Sequence, residues 1–318
     1  MMQNKNNYER NITEIVATNQ DYNYDIMKYN INKLKKAYPF LEVGNIGYSV
    51  LGKQIPYIRI GNGEKEVLYH ASIHANEWIT SVILMKFIEN FCKSYISNEA
   101  IQSNLAQKLF DKVSLYIIPM VNPDGVDLVT GKVEKDTSVY RNYANISKNF
   151  PEVPFPDGWK ANFNGVDLNL QFPAGWENAK RIKFEQGYTK PAPRDFVGQG
   201  PLTEPEALAL YNFTLEHNFE LTISYHTQGQ EIYWNFQNIN PPRGYEIGKK
   251  FAMISGYSLE EVPYNSSFAG YKDWFIKNYN RPGYTIEAGF GVNPLPISQF
   301  HQIYQDNEGI LVYGMVLA

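Results

Sequence analysis

Residues 65–96 read KEVLYHASIHANEWITSVILMKFIENFCKSYI, and the spacing of their apolar positions changes midway. KEVLYHASI (65–73) is an apolar run of strand length, whereas Trp78, Val82, Met85 and Ile88 recur every three or four residues along one helical face. The stretch is a buried strand passing into a buried helix, the unit from which α/β layers are assembled. Three further apolar runs, KVSLYIIPMV (112–121), LTISYH (221–226) and GYTIEAG (283–289), have the near-continuous composition of strands covered on both faces. Upstream, LEVGNIGYSVLG and QIPYIRIG read as a hairpin.

Helical patterns separate these strands at 24–39, 202–218, 244–256 and 298–318. In the second of them Thr203 and Glu206 have the spacing of a capping box, with Pro205 in the first turn. Alternation of strands and helices predicts an α/β layered sheet. Between Asn122 and Gly200 periodicity fades into Pro, Gly, Asn and aromatic residues, so this region is read as loops that build a site.

With 318 residues and 43% apolar content the chain buries a large core, and we expect one domain over 1–318, residues 1–20 forming a flexible or peripheral segment. A net charge of −4 without blocks of like charge gives nucleic acid or a membrane surface no electrostatic hold, so neither is expected as a partner. Cys92 is the lone cysteine, which excludes an internal disulfide and a thiolate metal site. The polar N-terminus lacks the roughly 7–15-residue apolar core of a secretory signal, and a cytoplasmic location is expected.

The chemistry starts at His74 and Glu77. A side chain at the carboxyl end of a strand and one three residues later, on the first helical turn, converge on one point, and imidazole with carboxylate is a common pair of zinc ligands. His217 and Glu220 repeat the spacing but fall between a helix end and a strand start, where solvated side chains are expected. His70, four extended residues before His74 and so about 13 Å away, cannot share an ion with it. The candidate third ligand is His226, which also ends an apolar strand, and parallel strands end at one edge, where open α/β sheets keep their sites. Glu287 lies inside an apolar, Gly-flanked strand, where a carboxylate is costly unless it has a purpose. A base for a zinc-bound water is such a purpose.

SIHANEWIT (72–80), NPDG (122–125), GVDLN (165–169), SYHTQGQ (224–230), VPYNSSFAGYKDW (262–274) and TIEAG (285–289) occur in the order and approximate spacing of the zinc carboxypeptidase family, and together they cover most of the chain. This resemblance implies a mixed, mostly parallel eight-stranded sheet sandwiched between helices. It implies one zinc per chain on His74, Glu77 and His226, with Glu287 as general base and Tyr264 as a mobile substrate-binding tyrosine. Two departures stand out. The Asn-Arg pair that grips the substrate's terminal carboxylate in the family reads Asn169-Leu170, and leucine cannot supply a guanidinium. The arginine that polarises the scissile carbonyl is replaced by Lys160 or by Arg141.

At the position that sets specificity in this family, before Asp-Trp, stands Lys272, a cation suited to an acidic group on the residue after the cleaved bond. WKANFNGVDLNLQFPAGW and AGYKDWF look most like the bacterial γ-D-glutamyl-L-diamino acid endopeptidases. The expected function is zinc-dependent hydrolysis of the γ-D-glutamyl–meso-diaminopimelate bond in cell-wall peptides. The alternatives are an ordinary zinc carboxypeptidase, a zinc deacylase of N-acyl amino acids and an inactive muropeptide-binding module.

Overall fold

The structure is a computed structural model and describes residues 14–318. Among these residues the main sheet has eight strands: β1 (Glu42–Tyr48), β2 (Gln54–Ile60), β3 (Lys65–Ala71), β4 (Val113–Ile118), β5 (Phe219–His226), β6 (Glu231–Tyr233), β7 (Ser258–Glu260) and β8 (Gly283–Glu287). They lie in the order β1-β2-β4-β3-β5-β8-β6-β7. The four central strands, β4, β3, β5 and β8, run parallel, while the β1–β2, β2–β4 and β8–β6 pairings are antiparallel. The mixed, mostly parallel eight-stranded sheet expected from the sequence is the one found.

The helices are α1 (Tyr24–Ala37), α2 (Ile79–Ser97), α3 (Ala106–Lys112), α4 (Pro123–Val129), α5 (Ser138–Ser147), α6 (Trp176–Glu185), α7 (Pro205–Leu215), α8 (Gly244–Ser255), α9 (Tyr271–Tyr279) and α10 (Phe300–Leu317). Successive strand residues point to opposite faces, and the two cores divide accordingly. Val67, Tyr69 and Ala71 of β3 pack with α1, α2, α8 and α10, whereas Leu68 packs with α6, α7 and α9. Covering on both faces is why these strands read as continuous apolar runs. None of the helices of the described residues is long and apolar enough to cross a membrane.

Two local readings change. The segment 122–200 carries α4, α5 and α6 as well as loops; α4 is a single short helix of seven residues, and α5 and α6 have ten each, too short to impose a visible period on the sequence. The expected segment 1–20 falls mostly on residues 1–13, outside the described residues. From Glu14 onward the chain is docked: the Ile15 and Val16 N–H groups donate to the Glu89 carboxylate, and Val16 is buried.

The second change is at α7, whose N-cap is Glu204 without a side-chain cap bond, so the expected Thr203–Glu206 box does not form. Thr203 bonds Gln171 instead, and Glu206 turns inward to accept from the Val50 N–H and from Asn162. Burial outweighs these bonds and lifts the Glu206 carboxyl from 4.5 to about 7. The folded chain therefore keeps a proton that the unfolded chain releases near pH 4.5, so this group's contribution to stability falls as pH rises from about 4.5 to 7 and is level above that. Glu206→Gln removes the slope. Relative to wild type it is expected to gain unfolding free energy on the order of 3 kcal/mol between pH 5 and pH 8. Thermal unfolding of both proteins at the two pH values checks this, and an unchanged difference would contradict it.

Candidate active site

The site lies where the central strands stop. β5 and β8 are paired in parallel with His226 directly opposite Glu287, and β3 ends beside them with Ala71 opposite Tyr225. Ser72, at φ 48°, then turns the chain out of the sheet. Its hydroxyl bonds Ser81 and its N–H donates to Thr80, which pins the crossing into α2. His74 follows in extended conformation, and Glu77 closes a 3-10 turn, Ala75–Glu77, just ahead of α2.

This path brings the three candidate ligands together. His74 Nδ1 lies 3.0 Å from Glu77 Oε1 and 3.2 Å from His226 Nδ1, which is in turn 2.9 Å from Glu77 Oε2. All three residues are buried. Asp167 Oδ1 sits 3.0 Å from the other nitrogen of His74, Nε2. Its carboxylate is an acceptor only and so keeps the ring proton there. Nδ1 then presents a lone pair to the Glu77 Oε1 oxygen at 3.0 Å. Two acceptors this close repel one another unless a cation lies between them.

A second proton on His74 is one such cation: burial disfavours the charged ring, but Glu77 and Asp167 outweigh it and raise the pKa to about 9. A divalent ion satisfies all three donors at once, and His74, Glu77 and His226 can hold one together. Two imidazoles and one carboxylate form a zinc donor set with a place left for water. The carboxyls are ready for this role. Although burial pushes Glu77 up, Lys160 and the two histidines carry it well below its ordinary range. Burial likewise opposes ionisation of Asp167, but His74 and Lys160 hold it low.

The other candidates divide. The Nζ of Lys160 is 2.9 Å from Glu77 Oε1, and Glu287, Asn169 and Lys272 line the same cleft of about 1200 Å³. Burial is the largest influence on Glu287 and raises its pKa, as suits a group that accepts and returns a proton. Asn169 accepts from the Tyr271 N–H, and Lys272 is buried with its ammonium 2.7 Å from Asp273 and donating to the Asn235 carbonyl. Tyr264 is not on the cleft wall: it is 58% exposed with its ring edge-on to Phe268 and lines a small neighbouring depression with Asn235 and Gln237, while Pro263 and Asn265 on either side of it do line the cleft. Arg141 does not join them: it is exposed on α5 and donates to the Asp136 carbonyl in the preceding turn. His70 is spent on Ser224, and burial drops its pKa to about 3.

Sequence reasoning passed over Asp167, Arg194 and Asp195, which also line the cleft. Asp167 lies between the apolar Val166 and Leu168 in GVDLN, an acid in an apolar setting, the same signal that drew attention to Glu287. Arg194 and Asp195 sit in a Pro-rich stretch with no pattern to mark them.

A sequence model of the zinc carboxypeptidase family matches residues 27–309. The chain belongs to the zinc carboxypeptidase family, and zinc is that family's metal. Relatives include gamma-D-glutamyl-L-diamino acid endopeptidase 1 of Lysinibacillus sphaericus, 44% identical over 306 residues that span 95% of this chain and 74% of that protein. The Bacillus subtilis (strain 168) protein YqgT is 40% identical over 292 residues, 91% of this chain and 76% of its own length. Bovine thrombin-activatable fibrinolysis inhibitor, solved with a tick carboxypeptidase inhibitor, shares the fold at 16% identity and a TM-score of 0.70, covering 94% of this chain and 98% of that one.

Proposed function

We propose that this zinc carboxypeptidase-family chain hydrolyses the amide between the γ-carboxyl of D-glutamate and a diamino acid, meso-diaminopimelate, in cell-wall peptides. The observation that carries the reading is the 44% identity, over nearly the whole chain, to an endopeptidase named for that bond. Leu170 agrees with it: a leucine on the cleft wall offers no grip to the terminal carboxylate of an ordinary peptide.

His74, Glu77 and His226 would hold the zinc, with Asp167 fixing the tautomer and tilt of His74. When bound, zinc lowers the pKa of a water molecule and polarises a carbonyl. Glu287 takes the proton of the attacking water and delivers it to the leaving amine of the diamino acid. Lys160 donates from Nζ to the carbonyl oxygen as negative charge builds there; burial alone would discourage its charge, but Glu77 keeps its pKa raised. Lys272, with two of its donors engaged, turns the third toward the acidic end of the diaminopimelate side chain. Tyr264, exposed on the segment whose Pro263 and Asn265 line the cleft, swings in to close over the substrate.

Incubating the zinc-loaded protein with L-Ala-γ-D-Glu-meso-diaminopimelate and identifying the products by mass spectrometry tests the bond. Free diaminopimelate with L-Ala-D-Glu is the expected pair. Release of L-alanine, or no cleavage alongside turnover of an N-acyl amino acid, would overturn the reading.

A further inference from the structure

Among the described residues four lysines and arginines line the cleft: Lys160, Lys183, Arg194 and Lys272. The three lysines are engaged. Lys160 faces Glu77 at 2.9 Å, Lys183 faces Asp195 Oδ1 at 2.5 Å and Lys272 faces Asp273 at 2.7 Å. Arg194 differs, because only its Nε is held, donating to Asp195 Oδ2 at 2.6 Å. Neither of its Nη groups has a hydrogen-bond partner among the described residues, and its side chain is 41% exposed at the cleft.

The held Nε makes this arginine more than a surface charge. Asp195 donates its own N–H to Asp167 Oδ2 at 3.2 Å, while its carboxylate takes Lys183 on one oxygen and Arg194 on the other. Its backbone is left-handed, φ 65°, a conformation that Asp tolerates better than most residues. Asp167 in turn holds His74. The guanidinium plane is thereby fixed relative to the candidate zinc ligands through the series Asp195, Asp167, His74. What remains free is the outer fork, two parallel N–H donors with the geometry of a carboxylate. A salt bridge to Asp195 needs Nε alone and leaves that fork without a partner on a residue that lines the cleft.

We propose that Arg194 clamps a substrate carboxylate through its two Nη groups and so selects anionic γ-glutamyl peptides. This rests on the function proposed above, under which the substrate carries free carboxylates on both sides of the scissile amide. One is the α-carboxylate of D-glutamate, free because the chain runs through its γ-carboxyl; the others belong to the diamino acid. Lys272 reaches the cleft from α9, bonded to the segment after β6, whereas Arg194 reaches it from the loop packed on Asp167. The two cations therefore serve different parts of the substrate.

The test compares the zinc-loaded full chain with Arg194→Ala and Arg194→Lys, after matching zinc content and Tm. Each is assayed on L-Ala-γ-D-Glu-meso-diaminopimelate, on the same peptide with the glutamyl α-carboxylate amidated, and on one with the diaminopimelate carboxylates amidated. On the parent, Arg194→Ala is expected to raise KM at least tenfold with kcat within threefold, and Arg194→Lys to recover less than half of that loss, since lysine keeps the charge but not the fork. One of the amidated peptides should be cleaved by wild type no better than the parent is by Arg194→Ala, and should lose nothing further in that variant; which one it is tells which carboxylate is clamped. Unchanged kcat/KM on the parent, or an equal loss on all three peptides, overturns the clamp. If only an α-linked control peptide is cleaved, the proposed function fails. The variants are then compared on that peptide and its C-terminal amide, where a loss confined to the free acid upholds the clamp and equal rates overturn it.

Discussion

Replacing Glu287 by Gln is expected to lower kcat by about 10²–10⁴-fold while leaving zinc content and Tm unchanged. Gln has the same shape, and Glu287 is not among the groups that can hold the ion, so the cleft and the ligand set survive the change. What disappears is the carboxylate proposed to accept a proton from water and return it to an amine. The β5–β8 register places residue 287 opposite His226, so its side chain lies beside the candidate metal ligands. Steady-state kinetics together with metal analysis of the purified variant check the expectation. Activity above a tenth of wild type would show that another group moves the proton.

Two substitutions, one at His74 and one at its partner Asp167, should separate ligand from support. His74→Ala removes a donor and is expected to weaken zinc binding by more than about 100-fold, with activity lost in parallel. Asp167→Asn keeps the donor but no longer fixes the Nε2 proton, and a loss of about 10–100-fold is expected. Competitive zinc titration against a chelator gives both numbers. Removing zinc from the wild type with the same chelator should abolish hydrolysis, and adding zinc back should restore it. If Asp167→Asn bound zinc as tightly as wild type, Asp167 would not govern the tautomer of His74.

Much of this was legible in the sequence for a simple reason. β3, β5 and β8 are buried on both faces and end at one edge, so a polar residue at the end of an apolar run marks the site, and His74, His226 and Glu287 were each found that way. The resemblance to the family supplied the antiparallel margins of the sheet, which periodicity alone does not reveal. What stayed hidden is held by side-chain bonds between distant segments. Asp195 depends on Asp167, 28 residues away, and Glu206 turns inward for the sake of Val50 and Asn162. Such choices override local preferences, as the unformed capping box at Thr203 shows. Arg141 and Lys160 were alternatives in sequence. Only the fold tells them apart, one capping a surface turn and the other facing Glu77.

The most direct measurement is the ratio of kcat/KM for L-Ala-γ-D-Glu-meso-diaminopimelate to that for the isomer joined through the α-carboxyl, with zinc-loaded wild-type protein. The two peptides share composition and charge and differ only in which carboxyl carries the scissile amide. A ratio of at least 100 in favour of the γ-linked peptide is predicted; a ratio near one, or a preference for the α-linked isomer, would contradict the account.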